Sequence, residues 1–398
     1  MLAGVLWAMV AAATCYSAIA LYAARRFRMR PRAVTDGFAP PVSLLKPLCG
    51  LDRELERNLE SFCRQNYPSY EILFSVREER DPAAAVVRRL QQQFPSVPMR
   101  LQVTGPPRYR NAKVHGLEEM AKEARHEILV ISDSDVRVGR EYLRTVVAPL
   151  ADPAVGMVTC LSRGVPARSI WSLLESLGMN TQYLPGVLTA WLLIGMEFSL
   201  GPTMVTRKRQ VEEIGGFRAV GDYLADDFVL GERIARAGYR VVLSEEVPDH
   251  LFGGETRSES LGHRLRWERS SRCSRPAGYW GQIFTHSLPL ALLAWAVTPE
   301  WNPLNPLYPL LMALLGVCLV ARALLTWQVG WKLLRDDKLR KYWWLLPLED
   351  LLSFGIWCWA FVGDDIEWRG VRLRVLRGGK LAPVAANAEE RTPVGAGW

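Results

Sequence analysis

The sequence predicts an α/β domain built on a mainly parallel, doubly wound sheet and attached to a membrane at both ends. Three observations carry this. Between Val42 and Pro276, short apolar runs alternate with amphipathic stretches, the signature of strand and helix in alternation. Leu2 to Ala24 carries no charge and is followed at once by Arg25, Arg26, Arg28, Arg30 and Arg32. At 1.5 Å per residue such a run crosses a hydrocarbon core about 30 Å thick. Apolar density then returns only after Tyr279.

The chain has 398 residues, 49% of them hydrophobic, with a formal net charge of +8. That is length for two or three folding units and an apolar fraction that excludes a disordered chain. Seven cysteines, an odd number without CxxC pairs, point to neither a disulfide framework nor a zinc site. A mean hydropathy of +0.02 is the average of a water-soluble domain and lipid-facing segments.

The elements follow in order. Val42 to Lys46 is a buried strand, and Asp52 caps a helix whose Leu55, Leu59 and Phe62 share one face. Glu71 to Val76, Met99 to Val103 and Glu127 to Ser132 are the next strands. They are separated by helices over Pro82 to Phe94 and Ala112 to Ala124. The last of these strands is almost wholly apolar, hence covered on both faces, and ligands of such a sheet bind at its carboxyl ends. Tyr183 to Val205, with Glu197 its single acid, reads either as buried core or as a segment lying at the lipid surface.

Positive charge after the first apolar run, not before it, favours an uncleaved anchor over a signal peptide, with its C-terminal end cytoplasmic. Three later runs are candidate spans. Thr285 to Val297 is short, Leu304 to Gly330 is interrupted by Arg322, and Tyr342 to Gly363 contains Pro347, Glu349 and Asp350. Alternate crossings place the tail outside, although it carries Arg369, Arg372, Arg374, Arg377 and Lys380. Either the last segment is re-entrant or the charge rule yields. The expected organisation is an anchor over residues 1–24, a basic linker over 25–41 and a catalytic domain over 42–276. A membrane region of two or three helices over 279–363 follows, then a basic segment ending in a mobile tail over 364–398. The basic segments near lipid account for the net charge, so no nucleic-acid partner is expected.

The residues able to do chemistry lie at strand ends. Asp133 and Asp135, in Ser132-Asp-Ser-Asp135, leave the fourth strand two positions apart, a spacing that lets two carboxylates share Mg²⁺ or Mn²⁺ with phosphate oxygens. Asp81 follows another strand and doubles as a cap for the helix opened by Pro82. Asp226 and Asp227 open a helix, where acidic residues are favoured electrostatically and where one can also serve as a general base. His263, Arg266 and Trp267 pair cations with an indole, a set suited to a diphosphate, a sugar ring or the bilayer interface. Arg110-Asn111-Ala-Lys113 opens a helix that favours anions.

These motifs, in this order, resemble glycosyltransferase family 21 within the GT-A fold: the ceramide glucosyltransferases and bacterial relatives that include hopanoid-biosynthesis enzymes. The resemblance rests on Ser43-Leu-Leu-Lys-Pro-Leu-Cys-Gly50, Asn66-Tyr-Pro-Ser-Tyr-Glu71, Arg80-Asp-Pro-Ala83, the Asp133 motif, Leu224-Ala-Asp-Asp227 and Arg266-Trp267. It implies that Asp81, Lys113 and Asp133 meet the nucleotide-sugar, that Asp133 and Asp135 hold the divalent cation, and that Asp227 is the general base. By the same resemblance, His263, Arg266 and Trp267 close over the diphosphate and acceptor. It further implies an inverting hexosyl transfer from a UDP-sugar, UDP-glucose foremost, to a membrane lipid such as ceramide. His263 stands where the eukaryotic ceramide enzymes have Gln or Arg, which favours a bacterial subgroup at the inner membrane with a cytoplasmic catalytic domain. Transfer of N-acetylglucosamine from its UDP-sugar to a hopanoid lipid is the alternative, ahead of a processive polysaccharide synthase or a scaffold with a decayed site. Oligomeric state is left open.

Overall fold

A computed structural model describes residues 1–30, 37–254, 256–298, 306–368 and 370–384. The central sheet has seven strands: β1 (Val42–Pro47), β2 (Tyr70–Val76), β3 (Met99–Val103), β4 (Ile128–Ile131), β6 (Val155–Cys160), β8 (Met204–Arg207) and β9 (Arg240–Ser244). Their order across the sheet is β3-β2-β1-β4-β8-β6-β9. All pairs are parallel except those of β8, which runs antiparallel to both β4 and β6. Neighbours along a strand go to opposite faces: Leu44, Ile72 and Val130 enter one core, Leu45, Leu73 and Leu129 the other. Both faces are therefore buried, which is why these strands read as apolar runs.

A smaller sheet of β5 (Val136–Arg137), β7 (Arg163–Val165) and β10 (Asp249–Leu251) lies beyond the carboxyl end of β4. The helix expected to be capped by Asp52 runs Leu55–Cys63 with Glu54 at its cap position, so that expectation is corrected: the Asp52 carboxylate instead accepts from Ser134 Oγ. The stretch Tyr183 to Val205 divides. Its first half is the helix Leu184–Ile194 packed beside the N-terminal helix, and its end is the central strand β8.

The N-terminal helix spans Leu2–Arg28, longer than the anchor expected, and its last turns pack against the α/β domain. Ala20, Ala23, Ala24 and Phe27 belong to the core beneath the sheet, the small alanines allowing close approach. Among the described residues, this helix and Tyr308–Leu333 are the two long and apolar enough to cross a membrane. Of the C-terminal region expected to hold two or three membrane helices, Tyr308–Leu333 is, among the described residues, the one long and apolar enough to cross as a single helix. Ser287–Ala296 and Leu346–Trp359, of 10 and 14 residues, are too short to cross as single straight helices. Thr298 accepts from Trp7 Nε1 at 3.0 Å, whereas Leu334 and Arg335, at the end of the long helix, accept from Arg163 of β7 at 3.1 Å. The long helix therefore leads back to the α/β domain.

The basic segment expected after residue 364 carries regular structure. It forms an antiparallel sheet of β11 (Asp365–Trp368), β12 (Val371–Val375) and β13 (Leu381–Pro383). Leu224 donates to Gly379 O at 3.1 Å and Leu381 donates to Asp222 O at 2.7 Å, so this sheet is stitched to the loop ahead of Asp226. Of the expected tail, residues 385–398 lie outside the described residues, as do Arg32 and Arg369.

Candidate active site

The Asp133–Asp135 turn is gripped from below and from both sides. Lys46 Nζ, fully buried at the end of β1, donates to Asp133 O at 2.6 Å and Ser132 Oγ at 3.3 Å, and lies 3.7 Å from the centre of the Phe62 ring. Burial pulls its ammonium down to about 7, despite the opposing pull of Asp133, Asp135 and Asp52. Asn58 Nδ2 donates to Ser134 O at 3.3 Å. Asp135 O accepts from Leu251 N at 2.8 Å, and its Oδ2 lies 3.2 Å from His250 Nε2. Burial would raise the Asp135 carboxyl, but His250 and Lys46 more than offset this and hold it at about 2.

Across the cleft, the helix Asp226–Arg236 presents Asp226 and Asp227 at its first turn. Gly231 seats it: a Cβ there would lie 2.3 Å from Ser199 N, so only glycine lets this helix approach the Phe198–Ser199 backbone. Ser199 Oγ in turn donates to Asp227 O at 2.6 Å. Asn111 Nδ2 donates to Asp226 Oδ1 at 3.1 Å, and Lys113 Nζ bridges Asp133 Oδ1 at 2.7 Å and Asp226 Oδ2 at 3.6 Å. Burial works against the Lys113 charge, but three carboxylates around it outweigh that and hold its ammonium above the usual range. Burial first, and the Asp226 charge second, push the Asp227 carboxyl up to about 6.

Between the two acids lies Gly201. A Cβ on it would sit 3.0 Å from Asp227 Oδ2 and 3.3 Å from Asp133 Oδ2, so the missing side chain is the space both carboxylates face. The third wall is the helix Arg257–Ser274, opened by a capping box in which Glu259 N donates to Thr256 Oγ1 at 3.3 Å. Trp267 projects from it into an aromatic cluster. Its ring lies 4.5 Å from His263, 6.2 Å from His250 and Phe252, and 6.3 Å from Tyr183, centroid to centroid. His263 Nδ1 is paired with the buried Glu175, and Arg266 is half-buried beside Trp267.

The structure thus gathers Lys113, Asp133, Asp135 and Asp227 around one cleft, with His263, Arg266 and Trp267 on the helix that walls it. Asp81 stands apart, at the ends of β1 and β2, where its Oδ1 accepts from Ala83 N at 2.9 Å and Gly50 N at 3.0 Å. Gly201, Lys46, His250 and Glu175 were not anticipated. Lys46 had a signal, a lysine inside an apolar run; the other three have no neighbouring pattern that marks them.

Asp133 and Asp135 suit a hard divalent cation. Asp135 Oδ1 is buried and has no hydrogen-bond partner among the described residues, an acceptor left open on the proposed ligand itself. His115, Glu118 and Glu119 also come close enough to share a metal, but Arg108 and Lys122 already neutralise both glutamates.

The sequence model described as glycosyl transferase family 21 matches residues 5–381. The chain belongs to this family. Among curated relatives, ceramide glucosyltransferase 1 of Caenorhabditis elegans is 27% identical over 219 residues, covering 55% of this chain and 47% of that protein. Ceramide glucosyltransferase 3 of the same organism is 25% identical over 243 residues, covering 61% and 53%. This family 21 chain therefore spans about half the length of the curated relatives it matches. Among solved structures, the mannosyltransferase PcManGT of Pyrobaculum calidifontis, in complex with GDP-mannose and Mn²⁺, superposes with a TM-score of 0.52. It is 22% identical, with 90% of this chain and 99% of that one covered. That likeness establishes the α/β glycosyltransferase fold of the GT-A type.

Proposed function

We propose that this family 21 chain is a membrane-bound, inverting hexosyltransferase that moves a sugar from a UDP-sugar, UDP-glucose foremost, to the hydroxyl of ceramide or a similar sphingolipid. The observation that carries the reading is the pair Asp133 and Asp227 facing each other across Gly201, in a cleft walled by the Trp267 cluster. In this reading Asp81 and Lys113 orient the nucleotide and Asp133 the diphosphate. His263, Arg266 and Trp267 close over the diphosphate and acceptor. Asp133 and Asp135 would hold a divalent cation, which when bound neutralises charge on the departing diphosphate. Asp227 takes the proton of the lipid hydroxyl. That oxygen bonds to the anomeric carbon as the bond from this carbon to the diphosphate oxygen breaks, and UDP leaves with the electron pair. A single displacement inverts the anomeric centre. A carboxyl at about 6 is ionised near neutral pH yet still basic, which is what a general base requires.

The membrane arrangement we propose has three crossings. The N-terminal helix enters toward the domain, residues 276–298 leave as a broken helix, and Tyr308–Leu333 returns. Leu346–Trp359 then does not cross, so the basic tail stays on the cytoplasmic side of a bacterial inner membrane. In this arrangement the last apolar segment does not cross, so the basic tail agrees with the charge rule. The test is mass spectrometry of lipids from cells with and without the chain, paired with UDP release by the purified protein on ceramide. Loss of a monohexosylceramide supports the reading. Loss of an N-acetylhexosaminyl hopanoid selects the alternative, for which His263 at the head of its motif is the favouring observation. No change in lipids and no UDP release refutes both.

A further inference from the structure

The helix Leu346–Trp359 is amphipathic in an inverted sense. Facing outward, Leu348, Leu351 and Trp359 are 51%, 45% and 50% exposed, at spacings of three and eight that put them on one stripe, and Trp343 and Trp344 in the turn just ahead of the helix are each 60% exposed. Facing inward, Glu349 and Asp350 are 0% and 2% exposed, and both are ion-paired. Arg264 grips Glu349 with two bonds, Nη2 to Oε1 at 2.5 Å and Nη1 to Oε2 at 3.1 Å, and also donates to Ser353 Oγ at 2.7 Å. Arg322 of the long helix grips Asp350 in the same way, at 2.6 and 3.2 Å, and Gln182 donates to Asp350 Oδ1 at 2.9 Å. Gly178 makes room for this: a Cβ there would lie 2.2 Å from Glu349 Oε1. Arg264 lies between His263 and Arg266–Trp267, and Gln182 adjoins Tyr183, so both inward carboxylates end on elements that carry the aromatic cluster around Trp267.

We propose that residues 343–362 form a docking surface for the lipid bilayer, and that Glu349 and Asp350 are positioning residues transmitting its seat to Trp267 and Tyr183. Three features identify a bilayer as the occupant. The stripe is tryptophan and leucine, the composition that settles at a lipid interface. Lys338, Arg340 and Lys341 immediately precede it, where anionic headgroups would lie. It is also continuous with the Tyr308–Leu333 helix that is long enough to cross. A helix held at the surface sets the depth of the cleft. The docking arm stands without any assumption about the reaction; the positioning arm rests on the proposed lipid acceptor.

Docking is read by a fluorophore on Leu351→Cys, in a chain whose exposed Cys15, Cys49 and Cys358 are replaced by Ser, with quenching by spin-labelled lipid. The protein is held in vesicles of phosphatidylcholine and phosphatidylglycerol, and Arg88→Cys on the domain surface is the control. Quenching at 351 but not at 88 is expected; equal values overturn the docking surface. Positioning is read by steady-state transfer to a long-chain acceptor in vesicles and a short-chain acceptor in water. Leu348→Glu with Leu351→Glu should lower kcat about 10-fold on the vesicle acceptor alone. Glu349→Gln should lower kcat about 10-fold on both with the KM for UDP-glucose unchanged, because a misplaced wall costs turnover and not donor binding. Glu349→Asp should recover part of that loss. Should Glu349→Gln fail to fold, Ser353→Ala, which removes one bond to Arg264, should lower kcat on both with donor KM unchanged. Full kcat in folded Glu349→Gln or in Ser353→Ala overturns the positioning role. Quenching at 351 in a wild-type protein that transfers to no lipid would refute the proposed reaction and leave the docking surface standing.

Discussion

Replacing Asp227 by Asn separates the chemical role of this carboxyl from a structural one, because the two predict opposite signs for stability. The ordinary aspartate value is 3.8, and burial with Asp226 raises Asp227 to about 6. At pH 7 the group is ionised in both folded and unfolded chains, so folding must carry a charge it disfavours. That penalty is present above pH 6 and vanishes as the pH falls below 3.8. A shift of about two units corresponds to about 3 kcal/mol, an upper bound for a half-buried group. Asp227→Asn should therefore melt at or above the wild-type temperature at pH 7, keep UDP-sugar binding, and lose about 10²- to 10⁴-fold in kcat. The wild-type kcat/KM should rise with pH through about 6 and level off above it, since only the ionised base accepts the proton. Asp226→Asn should move this limb to lower pH by less than about one unit, because burial, not Asp226, is the larger cause. Calorimetry, isothermal titration with UDP-glucose and a pH–rate profile supply the measurements. An Asp227→Asn protein that melts lower and loses donor binding along with turnover, or an acid limb near 4, would refute the base assignment.

Three further outcomes are expected. Gly201→Ala should lower kcat about 10- to 100-fold with little change in melting temperature. Its Cβ at 3.0 and 3.3 Å displaces carboxylate tips, not backbone, and sub-ångström errors at reacting groups are expensive; an unchanged rate would show that the two acids do not share that space. Asp135→Asn should raise the Mn²⁺ concentration for half-maximal activity at least about 10-fold, read by metal titration, and an unmoved midpoint would remove it as a ligand. Lys46→Met should leave Asp133 O without its buried donor, a loss of about 1–3 kcal/mol in stability measurable by denaturant titration, with a matching loss of turnover.

What the sequence made legible, and what it hid, has a physical pattern. β1 to β4 were readable because a strand covered on both faces must be apolar throughout, and Asp81, Asp133 and Asp227 because carboxylates at strand and helix ends interrupt that pattern. The antiparallel β8 was hidden for the same reason: Tyr183 to Val205 is apolar as both helix and strand, so no periodicity marks the change. The C-terminal sheet was hidden by its charge. Val371-Arg-Leu-Arg-Val375 has the alternation of a strand, yet its arginines read first as a basic segment. Gly201 and His250 were beyond reach, because their meaning lies in residues brought near from 26 or more positions away.

The bonds from Leu224 to Gly379 and from Leu381 to Asp222 have a consequence for how this chain can be divided. The polypeptide leaves the α/β domain after residue 276, runs through the apolar helices that the proposed arrangement puts in the membrane, and returns to brace the loop that leads into Asp226 and Asp227. The proposed donor-binding part and the proposed membrane part are therefore threaded through one another. A water-soluble fragment ending near residue 276 would keep every proposed catalytic side chain and lack the last support of the loop that presents two of them. In the proposed arrangement, detergent or lipid is then a condition for a correctly built donor site as well as for access to the proposed acceptor.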